Sequence, residues 1–218
     1  MTQKVHVCIV LDRSGSMEDC RTDAIGAVNS YLRQVKDDTA MAARVSLIIF
    51  DSQSIDTIRD RAPVASCAEL TAAEYQPRGS TPLLDAVGHA VGVLDAGSEA
   101  GERRILSIMT DGLENASREY TKERLKSLLD RKQKEEGWLV LYLGAGHDSW
   151  AQANAIGIYA GNTADFAKAS IASASRAMAS RASRYASAPS AVAEVAEGGF
   201  MLEERASMKR PPKGGQPR

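Results

Sequence analysis

The feature that most constrains this 218-residue chain is the apolar run at residues 5–11, which is interrupted only by His6. The segment Asp12-Arg13-Ser14-Gly15-Ser16 follows this run directly. A continuous run rich in β-branched residues is typical of a parallel strand that is covered on both faces of a sheet. The sequence therefore predicts a buried strand whose carboxyl end carries one carboxylate and two hydroxyl groups.

Two later segments are built in the same way. Gly79-Ser80-Thr81-Pro82 opens a helix with periodic apolar residues, and the apolar run at 105–109 ends in Thr110-Asp111-Gly112. In an open α/β sheet, ligands bind in the crevice outside the carboxyl ends of the strands. The side chains that we expect to meet there are Asp12, Ser14, Ser16, Thr81 and Asp111. These hard oxygen donors carry only two formal charges, which suits a Mg²⁺ ion that keeps several of its waters.

Strand and helix signals alternate along the chain, which predicts an α/β fold with a doubly wound, mostly parallel sheet and helices on both faces. The predicted strands cover about residues 4–11, 45–50, 104–110, 138–143 and 156–160, with a short edge strand at 54–61. The predicted helices cover about residues 18–36, 82–94, 121–137, 148–155 and 162–186. Thr121 is expected to cap its helix, and the buried stripe of the helix after Thr81 consists of Leu83, Val87, Ala90, Val91 and Leu94.

The motif Asp12-x-Ser14-x-Ser16, followed in order by Thr81 and Asp111, resembles the metal-ion-dependent adhesion site of von Willebrand factor type A (VWA) domains. The segments at 79–83 and 110–112 also resemble the sequences that flank this site in the family. The resemblance extends over about residues 4–187. It implies a Rossmann-like sheet with one antiparallel edge strand, near 54–61, and a closing C-terminal helix.

The resemblance also implies how the site would hold a metal ion. Ser14 and Ser16 would coordinate the ion directly, and Thr81 would do so directly in one state and through water in another. Asp12 and Asp111 would act through water. The ion would be Mg²⁺, with Mn²⁺ or Ca²⁺ as alternatives, and an Asp or Glu from a partner protein would complete its coordination.

Three further residues lie near this predicted edge. Asp85, one helical turn after Thr81, would either hydrogen-bond the metal shell or be a solvated helix residue, and Asn115 could line the rim of the site. His147 follows Gly144-Ala145-Gly146 at a strand end and so shares the metal face. That glycine pair fits a tight strand-to-helix turn better than a phosphate loop, because the third glycine and the ribose-binding acid are missing. His6 and His89 are expected to be structural.

Composition restricts the class of partner and the compartment. The formal net charge is −1, so no global field favours nucleic acid or an anionic membrane. The three cysteines, Cys8, Cys20 and Cys67, form no CxxC motif and are expected to be reduced. The start of the chain has no signal-peptide pattern, and no stretch is apolar and long enough to span a bilayer. These features predict a cytoplasmic protein, unlike the secreted and cell-surface members of the family.

The predicted organisation is a VWA domain at residues 1–187 and an extension at 188–218, ending in a disordered, basic, Pro/Gly-rich tail. The predicted function is Mg²⁺-dependent protein binding without catalytic residues. The resemblance further suggests an adaptor for an AAA+ ATPase or a stress-response system. Two alternatives stay open: a metal-dependent phosphatase or hydrolase, which would need a base or a second metal near Asp111, and an assembly component with a vestigial site. The sequence does not indicate an oligomeric state.

Overall fold

Six strands form a single central sheet in the computed structural model, which describes residues 2–145, 149–167 and 170–209. The strands are β1 (Gln3–Asp12), β2 (Met41–Phe50), β3 (Ile55–Pro63), β4 (Arg103–Thr110), β5 (Leu139–Gly144) and β6 (Thr163–Asp165). Their order across the sheet is β3-β2-β1-β4-β5-β6. All neighbouring pairs are parallel except β2 and β3, which run antiparallel. The predicted mostly parallel sheet with one antiparallel edge strand is therefore confirmed.

Helices cover both faces of this sheet. Within the described residues they are α1 (Arg21–Asp37), α2 (Leu83–Asp95), α3 (Lys122–Lys134), α4 (Ser149–Ala155), α5 (Ile171–Ser187), α6 (Ala191–Glu197) and α7 (Leu202–Lys209). Side chains alternate along β1, so Val7 and Ile9 belong to the core cluster that contains α1 and α5. Cys8 and Val10 belong to the opposite cluster, which contains α2 and α3. Burial on both faces explains the uninterrupted apolar runs of the central strands.

Helix α2 follows the sequence prediction closely and begins directly beside the predicted site. It starts at Leu83, with Pro82 as the preceding residue, and all five predicted stripe positions are buried. The Thr121 hydroxyl accepts a hydrogen bond from the Arg124 backbone N–H at 3.2 Å, so the predicted cap of α3 is present. The first helix is shorter than predicted, because Gly15–Cys20 forms a 3₁₀ helix and α1 begins only at Arg21.

The predicted strand at 156–160 is wrong. These residues end helix α4: the Ile158 N–H donates to the Ala153 carbonyl at 3.0 Å, and Gly157 has φ +82°. A left-handed residue with a bond that spans the last turn is a common helix ending, and it places Ile156 and Ile158 in the core. The sixth strand is instead Thr163–Asp165, which pairs with β5.

The closing helix begins later than the predicted residue 162, because Thr163–Asp165 joins the sheet before α5 starts at Ile171. The helix ends at Ser187, before Pro189, as predicted. Its small residues allow it to pack along α1. Arg181, which is fully buried, donates from Nη1 to the Glu194 carboxylate at 2.6 Å and from Nε to the Asn162 side-chain oxygen at 3.1 Å.

The segment after residue 187 packs on this helix as far as Lys209. Helix α6 contacts α3 and α5, and α7 contacts α5 and β6. Arg184 forms a salt bridge with Glu204 at 2.7 Å, and the Arg205 guanidinium donates to the Thr163 carbonyl at 2.6 Å. The tail from residue 210 lies outside the described residues. Its disorder, and the domain boundary at residue 187, therefore stay predictions.

Two further expectations concerned the state of the cysteines and the lack of a membrane-spanning segment. Cys8 and Cys20 are buried and Cys67 is half-buried, and none of the three forms a disulfide in the described part of the chain. Among the helices that the structure describes, we find none with both the length and the apolar character needed to cross a membrane.

His6 gives a testable pH dependence of stability. The side chain is buried in β1, where Nε2 lies 2.9 Å from the Ser46 hydroxyl, and burial lowers its pKa to about 4. Between pH 6.5 and 4 the unfolded chain binds a proton that the folded protein does not. The stability that the neutral His6 side chain contributes to the folded protein is therefore complete above pH 6.5 and is lost as the pH falls towards 4. We expect His6 to account for up to about 3 kcal/mol of this loss.

The measurement is urea unfolding at pH 7 and pH 4.5. The decrease in unfolding free energy between these two pH values should be smaller in His6→Gln than in the unmodified protein. The matched control is His89→Gln, because His89 is exposed on α2. An equal decrease in both variants would contradict the prediction.

Candidate metal site

Asp12 anchors the candidate site at the carboxyl end of β1. Its carboxylate accepts the Ser14 backbone N–H on Oδ1 at 2.7 Å and the Thr110 hydroxyl on Oδ2 at 2.5 Å. Burial raises the pKa of Asp12 to about 6, and the hydrogen bonds from Thr110 and Ser14 act in the opposite direction. The side chain thus joins the ends of β1 and β4 and fixes the loop that carries the two serines.

The two serine hydroxyls and Asp111 form a contiguous group of oxygens. The Oγ atoms of Ser14 and Ser16 lie 3.1 Å apart, and Ser16 Oγ donates to Asp111 Oδ1 at 2.6 Å. Ser14 is buried, Ser16 is exposed and Asp111 is half-buried. The group therefore reaches from the interior of the crevice to solvent.

Thr81 enters this group from the second loop. Its backbone N–H donates to the Asn115 side-chain oxygen at 2.8 Å, and the Asn115 N–H donates to the Thr81 carbonyl at 3.1 Å. Gly112 lies between the loops. A Cβ added there would stand 2.7 Å from Thr81 Oγ1 and 3.4 Å from Asp12 Oδ2. The absence of a side chain at Gly112 lets these two oxygens approach the same point.

The structure therefore brings together the five side chains predicted from the sequence. Among the described residues, no group of three or more His, Cys, Asp or Glu side chains could hold a metal ion. The candidate site instead combines three hydroxyl groups with two carboxylates. Such a set fits a hard cation that keeps part of its water shell, and it does not fit zinc, which takes nitrogen and sulfur ligands.

A buried ion cluster braces the first two loops, and the sequence analysis missed it. Arg13 donates from Nε to Asp51 Oδ2 at 2.6 Å and from Nη2 to Asp56 Oδ2 at 2.9 Å. Arg78 donates from Nε to the same Asp51 oxygen at 2.9 Å. Burial alone would raise the pKa of Asp51, but the Gln53 N–H and the two guanidinium groups lower it. One signal was available, because Asp51 follows an apolar strand just as Asp12 and Asp111 do.

Asp85 has a different role from either of the two that the sequence left open. Its carboxylate accepts the backbone N–H groups of Arg118 at 2.7 Å, Tyr120 at 2.9 Å and Glu119 at 3.0 Å. In return, Glu114 accepts the Leu84 N–H at 2.9 Å, in the first turn of α2. Asp85 thus holds the loop that follows Asp111, and it is neither a solvated residue nor a bonding partner of the five site side chains.

The remaining candidates contribute less. His6 and His89 are hydrogen-bonded to Ser46 and Thr57, each at 2.9 Å. His147 lies outside the described residues, as does Gly146, so the proposed ligand contact and the two interpretations of the glycine pair stay predictions. The Ala145 N–H donates to the Thr110 carbonyl at 3.1 Å, which ties the end of β5 to β4.

The ion cluster predicts that replacing Asp51 destabilises the protein much more than replacing Asp60, an aspartate at the surface. Asp51→Asn removes the charge that faces two guanidinium groups, one of them buried, so we expect a loss of about 3 kcal/mol of unfolding free energy. Asp60→Asn is the matched control, since Asp60 pairs with Arg61 at the surface and should cost less than about 1 kcal/mol. Urea unfolding measures both, and equal losses would contradict the assigned role of Asp51.

No protein-family model and no curated protein sequence matches this chain, but solved structures share its fold. A von Willebrand factor type A protein from Catenulispora acidiphila is 16% identical, with a TM-score of 0.53, over 84% of this chain and 43% of that protein. The pilus adhesin SpaC from Lactobacillus rhamnosus GG, in its open conformation, is 14% identical, with a TM-score of 0.65, over 84% of this chain and 30% of that protein. Proximal thread matrix protein 1 from the mussel byssus is 13% identical, with a TM-score of 0.61, over 80% of this chain and 47% of that protein.

The chain spans less than half the length of each of these three proteins. At such low identities the likeness concerns the arrangement of strands and helices alone. Because the mostly parallel sheet and its antiparallel edge strand also agree with the sequence prediction, the chain has a VWA-like α/β fold.

Proposed function

We propose that this protein is a Mg²⁺-dependent protein-binding module in which a carboxylate of the partner completes the coordination of the ion; Mn²⁺ or Ca²⁺ are the alternative ions. One observation carries the proposal: the hydroxyls of Ser14 and Ser16 meet Asp111 beside Thr81 at the open edge of the sheet. Ser14, Ser16 and Thr81 would hold the ion, and Asp12 and Asp111 would act through water. When bound, the ion would supply positive charge that two carboxylates only partly neutralise.

The same donor set supports binding rather than catalysis. Both oxygens of Asp12 accept hydrogen bonds, so its carboxylate is committed to holding the loop. His6 lies six residues before Asp12 on β1, which is about 20 Å along a strand. A metal-dependent hydrolase is the second candidate, and turnover of p-nitrophenyl phosphate that disappears in Asp12→Ala would favour it.

The cellular role of this binding is proposed from the fold, the family resemblance and the composition. The names of two proteins that share the fold, a pilus adhesin and a thread matrix protein, suit a role in attachment or assembly. The family resemblance supports an adaptor for an AAA+ ATPase or a stress-response system. We propose a cytoplasmic location, which the lack of a disulfide among the described cysteines supports. The near-zero net charge supports a protein partner rather than nucleic acid or a membrane.

Metal binding should appear as a thermal shift. A ligand that binds only the folded state at 100 times its dissociation constant adds about 2.7 kcal/mol of stability. We therefore expect Mg²⁺ to raise the melting temperature by several degrees. The double variant Ser14→Ala/Ser16→Ala should lose this response and remain folded, because the turn keeps the backbone bond from the Ser14 N–H to Asp12.

The control for this experiment is Ser66→Ala/Ser98→Ala, which changes two exposed serines elsewhere on the surface. It should keep the full Mg²⁺ shift. A site variant that responds to Mg²⁺ as strongly as the control would show that the ion binds elsewhere.

Partner binding should depend on Thr81 as well as on the ion. Truncating one side of a charge-assisted contact typically costs about 2–5 kcal/mol. Proteins captured by the immobilised chain in Mg²⁺ should therefore be released by EDTA and retained poorly by Thr81→Ala, which should still show the metal-induced thermal shift. Partners that bind equally well in EDTA would argue against the metal-dependent mechanism.

A further inference from the structure

A cleft of about 1290 Å³ lies between α2, the edge strand β3 and the loop at 115–120. One face of α2 lines it, with residues every three or four positions from Pro82 to Ala96. Because α2 has 13 residues and starts just after Thr81, the cleft runs about 20 Å from the candidate metal site towards the opposite edge of the sheet. Ser80 and Asn115 line its metal end.

Two of the α2 residues in the cleft, Gly88 and Gly92, have no side chain, whereas Nε2 of His89 between them lies 2.9 Å from the Thr57 hydroxyl of β3. Gly92 is exposed, and a Cβ added to it would meet no atom within 4 Å. Gly88, one turn earlier, lies against the ring of Tyr120, which forms the facing wall. The ring of Tyr120 occupies the space over Gly88, so the open space on α2 is at Gly92, next to the His89–Thr57 hydrogen bond.

The size of the cleft suits a segment of polypeptide. It exceeds the range of about 300–1,000 Å³ that is usual for small-molecule sites. A length of about 20 Å accommodates about six residues of extended chain at 3.3 Å per residue. The walls offer polar and charged groups throughout, with apolar area from Ile55, Val93 and Tyr120. Four acidic side chains line the cleft against two arginines, which disfavours a polyanion such as RNA.

Once the salt bridges of the lining residues are counted, the cleft keeps a net negative charge near its metal end. Asp51 is balanced by Arg13 and Arg78, and Asp60 by Arg61 at 3.0 Å. The lining residues that remain are Asp85, Glu119 and Arg118, for which the described part of the chain shows no salt bridge. The three backbone N–H groups that Asp85 accepts carry no formal charge, so they hold this carboxylate in place without balancing it. Asp85 lies four residues after Thr81, about 6 Å along the helix, which corresponds to two residues of extended chain.

We propose that this cleft binds an extended segment of the partner protein, with an Asp or Glu at the metal end and a Lys or Arg two or three residues further along the cleft. The proposal rests on the proposed function for its first contact, the carboxylate at the metal. The remaining contacts depend on the cleft alone: the basic side chain lies beside Asp85 and Glu119, and small or aliphatic side chains pass over Gly92.

Two glycines provide a matched test of the cleft. Gly26 in α1 resembles Gly92, because it is an exposed glycine inside a helix and a Cβ added to it also meets no atom within 4 Å. Gly92→Phe would fill the cleft, whereas Gly26→Phe places the same ring outside it. Thermal melting of both variants establishes that each remains folded.

The probe is a phage-displayed library of random 12-residue peptides, selected on the full chain in Mg²⁺. Selected peptides should carry an acidic residue and a basic residue two or three positions apart. Fluorescence anisotropy should show at least tenfold weaker binding to Gly92→Phe and less than a twofold change for Gly26→Phe. Glu119→Gln should weaken binding severalfold, and a peptide with its basic residue changed to Gln should no longer distinguish this variant.

The outcomes separate the cleft from the metal contact. Selection of no peptide at all, or of peptides that bind Gly92→Phe as well as the unmodified chain, would overturn the cleft. In the second case, release by EDTA would leave the proposed function standing. Peptides that bind equally in EDTA and still fail to bind Gly92→Phe would overturn the metal contact and support the cleft as a peptide site.

Discussion

The arrangement of the site depends on one carboxylate that is not among its candidate ligands. Asp51 directly follows β2, and its Oδ2 atom accepts hydrogen bonds from both Arg13 and Arg78. Arg13 stands between Asp12 and Ser14, and Arg78 stands three residues before Thr81, so two of the three loops meet at a single oxygen. The side chain of Asp51 is 0% exposed, which keeps water from competing for these bonds. Loss of either bond would end this link through Asp51 and leave the two loops joined through the backbone, by the Arg78 N–H to the Arg13 carbonyl at 2.8 Å and the Gly15 N–H to the Gly79 carbonyl at 3.1 Å.

The third loop is fixed by an exchange of hydrogen bonds with α2. Asp85 on the helix accepts three backbone N–H groups of the loop, and Glu114 on the loop accepts an N–H group from the first turn of the helix. Pro82 supplies no side-chain cap, so Glu114 satisfies a donor that would otherwise lack one. The negative charge also lies at the favourable end of the helix dipole. As a result, the helix that floors the cleft and the loop that carries Asp111 form one unit.

The fold and the five site residues could be predicted because they depend on local patterns. Apolar runs mark the central strands, and the carboxyl ends of parallel strands meet at one edge, so residues 95 positions apart, such as Ser16 and Asp111, could be placed together. The sixth strand could not be predicted from the sequence, since Thr163–Asp165 has only three residues and no apolar alternation. The apolar residues at 156–158 belong to a helix ending, which depends on the left-handed conformation of Gly157. Arg13 and Asp51 are 38 residues apart, and nothing local to either one specifies the pair.

The buried Arg181 makes the position of the closing helix depend on residues later in the chain. Its guanidinium reaches across to the Glu194 carboxylate and carbonyl and to Asn162, which precedes the last strand. A shift of α5 by one helical turn, about 5.4 Å, would break all three bonds inside the core. The segment after residue 187 therefore holds α5 at one position along α1, on the face of the sheet opposite the cleft. A change that displaced Glu194 would leave the buried Arg181 guanidinium without its carboxylate partner.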